Sequence, residues 1–218
     1  MVIALTVLVA GCGGSGSKSN GEAKKAGSQV LADALAAATG ASGVHVSGSI
    51  VSGGEPLTLD LNLDKGTGGS GTMSEQGLSF QLIRVGGKAY IKGSDAFYKK
   101  FAGASVAQLL HGKWLEGSAT SGNLAALTSL TDISKLFSGA LASHGALTNG
   151  GETTYKGQKV VAIKDTTKDG ILYVAATGAP YPVAIVGANK TGAIDFENWG
   201  KTVAITAPKG AVDLDKLG

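Results

Sequence analysis

Leu57-Thr58-Leu59-Asp60-Leu61-Asn62-Leu63 alternates leucine with a polar residue over seven positions. Successive side chains of an extended chain point to opposite faces, so the four leucines share one face and Thr58, Asp60 and Asn62 the other. The stretch reads as a half-buried β-strand. Just upstream, Val44, Val46, Gly48 and Ile50 alternate with His45, Ser47 and Ser49, and Ser52-Gly53-Gly54-Glu55-Pro56 joins the two runs as a turn. Downstream, Asp64-Lys65-Gly66 turns the chain into a Gly-rich, edge-like segment ending near Ser74. Gln76-Gly77 then leads into Leu78 to Val85, and Gly86-Gly87 into Lys88-Ala89-Tyr90-Ile91-Lys92. Five strands joined by loops this short pair antiparallel as a meander.

Outside the meander the period changes. Ser28, read as an N-cap, opens an Ala-rich run to Thr39 with Leu31, Ala34, Leu35 and Ala38 at helical spacing, and Gly40 stops it. After the meander Ser94-Asp95 caps a short helix through Phe97, Tyr98 and Phe101, a second covers Val106 to Leu110, and Trp114-Leu115-Glu116 is a brief extended piece. Leu124, Leu127 and Leu130 form one apolar stripe, and Ile133, Leu136, Phe137, Ala140 and Leu141 form another after Thr131-Asp132. A period of two returns in Leu147–Tyr155, Gln158–Lys164, Ile171–Ala175, Pro182–Val186, Ala193–Trp199 and Val203–Ile205, with Pro208 and a polar tail ending the domain. About eleven antiparallel strands interrupted once by helices make an α+β fold. A sheet of that size curls rather than lying flat. The expected architecture is a large curved antiparallel sheet, a half-barrel, with helices across its concave face to bury the leucine stripes.

The N-terminus reads differently. Residues 13–27 mix Gly, Ser, Lys and Asn, the composition of a flexible tether. Before it, Leu8-Val9-Ala10-Gly11-Cys12 resembles the lipobox of bacterial lipoproteins, an aliphatic residue and two small ones ahead of a cysteine that becomes the first mature residue. The resemblance implies a signal peptide over residues 1–11, a diacylglyceryl group on Cys12, a tether over 12–27 and a domain over 28–218. Residues 1–11 carry no Lys or Arg, unlike the basic opening of most signal peptides. They are also too few for a spanning helix of about 20 residues. Two acyl chains hold a protein on a bilayer where one does so only marginally. The expected location is therefore the extracytoplasmic face of the cell membrane, lipid-anchored.

Composition removes several function classes. A net charge of +3 spread over scattered lysines is not the clustered basic stripe of a nucleic-acid binder. With Cys12 as the single cysteine, no thiol remains for a disulfide or a thiolate metal site. His45, His111 and His144 lie at no ligating spacing, so neither a metal nor a cofactor is expected. Gly66-Thr67-Gly68-Gly69-Ser70-Gly71 and Gly11-Cys12-Gly13-Gly14-Ser15-Gly16 match the spacing of a dinucleotide loop, but neither follows a strand and opens a helix. There is no G-x-S-x-G elbow or phosphate-binding loop, and Asp60 with Asp64 reads as a solvated face rather than a catalytic pair. Asn189-Lys190-Thr191 is a chance-level glycosylation sequon. No enzymatic activity is expected.

The order of elements, the Val85-Gly86-Gly87-Lys88-Ala89-Tyr90-Ile91-Lys92 hairpin and the closing stretch from Ile194-Asp195-Phe196-Glu197-Asn198-Trp199 to Thr206-Ala207-Pro208 resemble the actinobacterial LppX/LprA/LprF/LprG lipoproteins. That family is similar in fold to the LolA and LolB carriers and to the sensor domain of RseB. The resemblance implies a non-catalytic protein that holds, and passes on, the acyl chains of lipids or lipoglycans between sheet and helices. A membrane transporter is a conceivable partner, and a monomer is expected. The candidate lining is Leu57, Leu59, Leu61, Leu63, Phe80 and Leu82 from the strands. Leu127, Leu130, Ile133, Leu136, Phe137 and Leu141 complete it from the helices. The alternative is a cell-envelope sensor or protein-interaction domain on the same fold.

Overall fold

The structure is a computed structural model that describes residues 18–52, 54–121, 124–188 and 191–216. The lipobox, Cys12 and the Asn189-Lys190 half of the sequon lie outside the described residues, as does the Leu127 side chain. The meander is β1 (Gly43–Ser52), β2 (Glu55–Asp64), β3 (Gly68–Glu75), β4 (Leu78–Val85) and β5 (Lys88–Gly93). Helices α1 (Gly27–Gly40), α2 (Asp95–Ala102), α3 (Ala104–Leu110) and α4 (Ile133–Ala142) sit around it, with a 3-10 helix over Ala125–Thr131. The remaining strands are β6 (Leu115–Ser118), β7 (Leu147–Tyr155), β8 (Gln158–Asp165), β9 (Ile171–Ala175), β10 (Pro182–Val186), β11 (Gly192–Glu197) and β12 (Val212–Asp213).

All twelve strands form one open sheet in the order β12-β6-β5-β4-β3-β2-β1-β11-β10-β9-β8-β7. Every pairing is antiparallel except β12 with β6. The leucine alternation sets the register. Leu61 lies opposite Val46 on β1 and Gly71 on β3, Gly71 opposite Leu82, and Val46 opposite Phe196 on β11. Those positions therefore share one face, and that face carries the core. Val30, Ala34 and Ala38 of α1 are fully buried, as is Phe137 of α4, whose Ile133 and Leu141 face the same way one turn to either side. Alanines on α1 let α4 come close. A second cluster forms where α2 and α3 pack on β5 and β6 through Tyr98, Ala107, Ile91 and Leu115. The sheet is strongly coiled. Tyr155 on β7 donates to Asp195 on β11 at 2.9 Å although three strands intervene. A flat sheet would hold those strands about 19 Å apart.

Five sequence expectations change. Helix α1 begins at Gly27 after Ala26, with no side-chain cap, so Ser28 is not the N-cap. Ser19 to Lys25, read as tether, is docked on the sheet. Asn20 donates to Ala175 and Gly178 carbonyls at 2.8 and 3.2 Å, and Lys25 pairs with Glu22 and Asp33 at 2.7 and 2.6 Å. Strand β3 is no edge, since β2 and β4 flank it. Val203–Ile205 forms no strand, because both sides of the nearest strand, β1, are already taken by β2 and β11. Beyond Pro208 the chain returns instead, and Val212 pairs with Leu115 in parallel. The cap at Ser94 forms as expected, accepting from the backbone N–H of Phe97, and Asp132 caps α4 in the same way by accepting from the N–H of Lys135.

Candidate functional site

Helix α4 does not seal the sheet beneath it. On one flank lies a cavity of about 480 Å³ between α4 and strands β1, β2, β3 and β11. Leu57 and Leu59 form its floor with Met73 and Ile194, and Leu130, Leu136 and Phe137 form its wall. On the other flank a cavity of about 430 Å³ runs between α4, α1 and strands β8 to β10, past Leu31, Leu141, Leu147 and Leu172. Ile50, Val51, Ala140 and Ile185 line both. The two cavities are thus halves of one trough straddled by the C-terminal turns of α4. Each alone falls within the size range of small-molecule sites.

The polar groups sit at the rim. Lys135 is the one charged side chain lining the first cavity. The second has Ser143, His144, Asp165 and Lys168 at its mouth. Serine, histidine and aspartate together raise the question of a hydrolytic triad, and the hydrogen bonds answer it. His144 Nδ1 is 2.8 Å from the Gly145 carbonyl, not from Ser143 or Asp165. Asp165 accepts from the backbone N–H groups of Gly145, Thr167 and Lys168 at 2.8 to 3.0 Å. Those bonds hold its carboxyl below the usual aspartate range, the bond from Gly145 most of all. Ser143 Oγ accepts from Lys168 Nζ at 2.7 Å. These are turn-capping contacts that square off the end of β8. Elsewhere His45 meets Asp60 at 3.0 Å on the outer face, and His111 meets Asp95 at 2.7 Å. Among the described residues no three His, Cys, Asp or Glu side chains converge on a metal-sized site.

Of the lining residues expected from sequence, Leu57, Leu59, Leu130, Leu136 and Phe137 meet around the first cavity and Leu141 lines the second. Leu61, Leu63 and Leu82, all completely buried, border neither cavity. They lie further along the sheet, where the 3-10 helix presses on β3 and leaves no space. Ile133 is core for the same reason, at 3% exposure. Phe80 belongs to the second cluster, its ring 5.3 Å from that of Phe97. Ile50, Met73, Ile185 and Ile194 were missed. Ile50 and Ile194 carry the right alternation, continuing Val44-Val46 and preceding Phe196.

The aromatic residues buttress the trough. Phe137 and Phe196 pack on Trp199 with ring centroids 5.2 and 6.4 Å away, and Tyr181 stacks on the indole at 4.8 Å. Trp199 Nε1 donates to the Pro182 carbonyl at 2.8 Å. Such a group holds α4 at a fixed height over β11.

No family model matches the chain, and no curated protein matches it in sequence. Solved structures do match. LprF from Mycobacterium bovis is 17% identical, with a TM-score of 0.54, covering 89% of this chain and 100% of that one. A chain of the MucA/MucB complex of Pseudomonas aeruginosa is 14% identical, with a TM-score of 0.41, covering 82% of this chain and 58% of that one. At these identities the likeness is one of fold: the open antiparallel sheet with its overlying helices is the architecture of LprF.

Proposed function

We propose that this chain is an envelope lipoprotein that shelters the acyl chains of a lipid or lipoglycan in the trough under α4, holding the head group at the rim. The observation that carries this reading is the trough itself, apolar along two joined flanks of one helix with its charges confined to the mouth. Alkyl chains form no hydrogen bonds and gain about 0.8 kcal/mol per methylene removed from water. A wall of Leu, Ile, Val and Met suits them, and a rim of Lys135, Lys168 and His144 suits a polar head. Fold likeness to LprF agrees with the family resembled in sequence. Acylation of Cys12 completes the proposal by keeping the domain at the bilayer.

Native mass spectrometry of the full chain carrying Cys12→Ala tests it. The expected spectrum shows one lipid adduct. Ala140→Trp, which plugs both cavities from an exposed position, removes the adduct while leaving the unfolding midpoint unchanged. Absence of any adduct, under conditions where a known lipid carrier keeps its own, overturns the reading. A protein crosslinked at the rim of a lipid-free chain would favour the sensor alternative. Fatty-acid labelling of the native chain that is lost in Cys12→Ala tests the anchor separately.

A further inference from the structure

Five large apolar side chains are prominently exposed among the described residues: Val51 at 47%, Phe101 at 66%, Val106 at 40%, Leu109 at 67% and Val203 at 40%. Four of the five gather at one end of the sheet. Helices α2 and α3 bridge the end of β5 to the start of β6, so they stand where β1 ends at Ser52 and β2 begins at Glu55. Antiparallel pairing places the end of β8, the start of β9 and the end of β10 at that same end. The trough opens there, past Val51, Leu57, Gly170 and Gly187. Val203 belongs to the opposite end, beside Val44.

The exposed ring of Phe101 is packed against its neighbours. Phe80 packs on Phe97 at 5.3 Å and Phe97 on Phe101 at 4.7 Å, a ladder that leads from the sheet to the surface. Charge follows the same geography. Residues 94–113 carry Lys99, Lys100 and Lys113 against Asp95 alone, and Asp95 is engaged by His111. None of these three lysines has an ion-pair partner among the described residues. Lys135 and Lys168 add positive charge at the trough rim; the acidic groups there include Asp165, bound by the N–H groups of its own turn, Asp169 beside it, and Glu55 and Glu75 at the ends of β2 and β3.

We infer that α2 and α3 form a docking surface for an anionic bilayer, with Phe101, Val106 and Leu109 entering the interface and Lys99, Lys100 and Lys113 meeting acidic head groups. Exposed apolar side chains on helices that also carry exposed lysines are the composition of an interfacial membrane segment. Each lysine near an anionic surface adds about 1 kcal/mol, roughly a fivefold gain in partition. Docking by this end brings the trough mouth to the lipid it would take up. That purpose rests on the lipid-holding function proposed above, whereas the docking itself does not.

Vesicle sedimentation of the full chain carrying Cys12→Ala separates the two. The chain is expected to sediment with equimolar phosphatidylglycerol and phosphatidylcholine vesicles, and far less with phosphatidylcholine alone. Phe101→Ser with Leu109→Ser lowers the partition coefficient about tenfold or more, and Lys99→Gln with Lys100→Gln does the same to within a factor of a few. Both pairs are surface changes, so circular dichroism and the native-mass lipid adduct stay as in the parent. If the parent fails to sediment with anionic vesicles, or the Phe101/Leu109 variant sediments equally well, the docking surface is refuted whatever the trough holds. Capture of a protein partner by this face without vesicle binding refutes it too.

Discussion

Asp64 shows how a single carboxylate ends a strand. It is 5% exposed, and burial alone would favour its neutral form. Against that, its Oδ1 accepts from the N–H of Gly66 at 2.9 Å and from the N–H and hydroxyl of Thr67 at 2.8 and 2.9 Å. The three bonds together outweigh burial and hold the carboxyl below the ordinary aspartate range. A carboxyl with a lower pKa in the folded state than in the unfolded one contributes its full stability above the unfolded value, about 3.9. It loses that contribution as pH falls through the folded value. Asp64→Asn keeps an oxygen in place but removes the charge, and is expected to cost about 1–2 kcal/mol at pH 7. Urea denaturation should show the gap between parent and variant closing below about pH 4. A gap that stays constant down to pH 3 would mean that the turn is held by geometry alone.

Among the elements, β3 is the one whose sequence most invites misreading. Its Gly-rich opening mimics a phosphate-binding loop, yet the glycines serve close approach. A Cβ on Gly69 would lie 2.8 Å from Thr131 Cβ and 2.9 Å from Leu63 Cδ2. The 3-10 helix before α4 therefore rests directly on the β3 backbone. Arg84 fastens it there, donating from Nε to Thr131 Oγ1 at 2.9 Å and from a terminal nitrogen to the Thr131 carbonyl at 2.7 Å. Gly69→Ala is expected to destabilise the chain by about 1–3 kcal/mol as the 3-10 helix is forced off, read as a lower urea midpoint. Unchanged stability would show that the 3-10 helix is not seated. The same element explains what the sequence could reveal of the site. Alternation is a local property, and the shared face of Leu57, Leu59, Leu61 and Leu63 was legible from it. Depth along that face is not local. The 3-10 helix, brought from 60 residues further on, is seated at Gly69 beside Leu63 and leaves a cavity open over Leu57 and Leu59. Likewise Val203–Ile205 alternates well enough for a strand, but pairing needs a free edge, and availability of an edge is decided by the whole sheet. The two residues of β12 are too short to carry any period.

At the scale of the whole molecule, the trough mouth and Ser19 lie at opposite ends of the sheet. Ser19 bridges to Thr177 just beyond the end of β9, whereas the trough opens by Gly170 and Ile171 at its start. Six residues of extended chain separate those points, about 20 Å. With Cys12 acylated, as proposed, seven residue steps link the anchor to Ser19, a reach of about 23–25 Å at full extension. A reach of that length is just enough for the domain to press its mouth end on the bilayer that would anchor it. Removing Gly14-Ser15-Gly16 shortens the reach by about 10 Å and should tip the mouth away. Anchored to a supported bilayer, the shortened chain is expected to lose lipid uptake from that bilayer, followed as quenching of Trp199 by a brominated acyl chain beside Phe137 and Phe196. It should keep uptake from vesicles added in solution, since the trough is unaltered. Equal uptake from the anchoring bilayer by both chains would show that the mouth works facing away from the membrane, as a carrier handing lipid across a gap must.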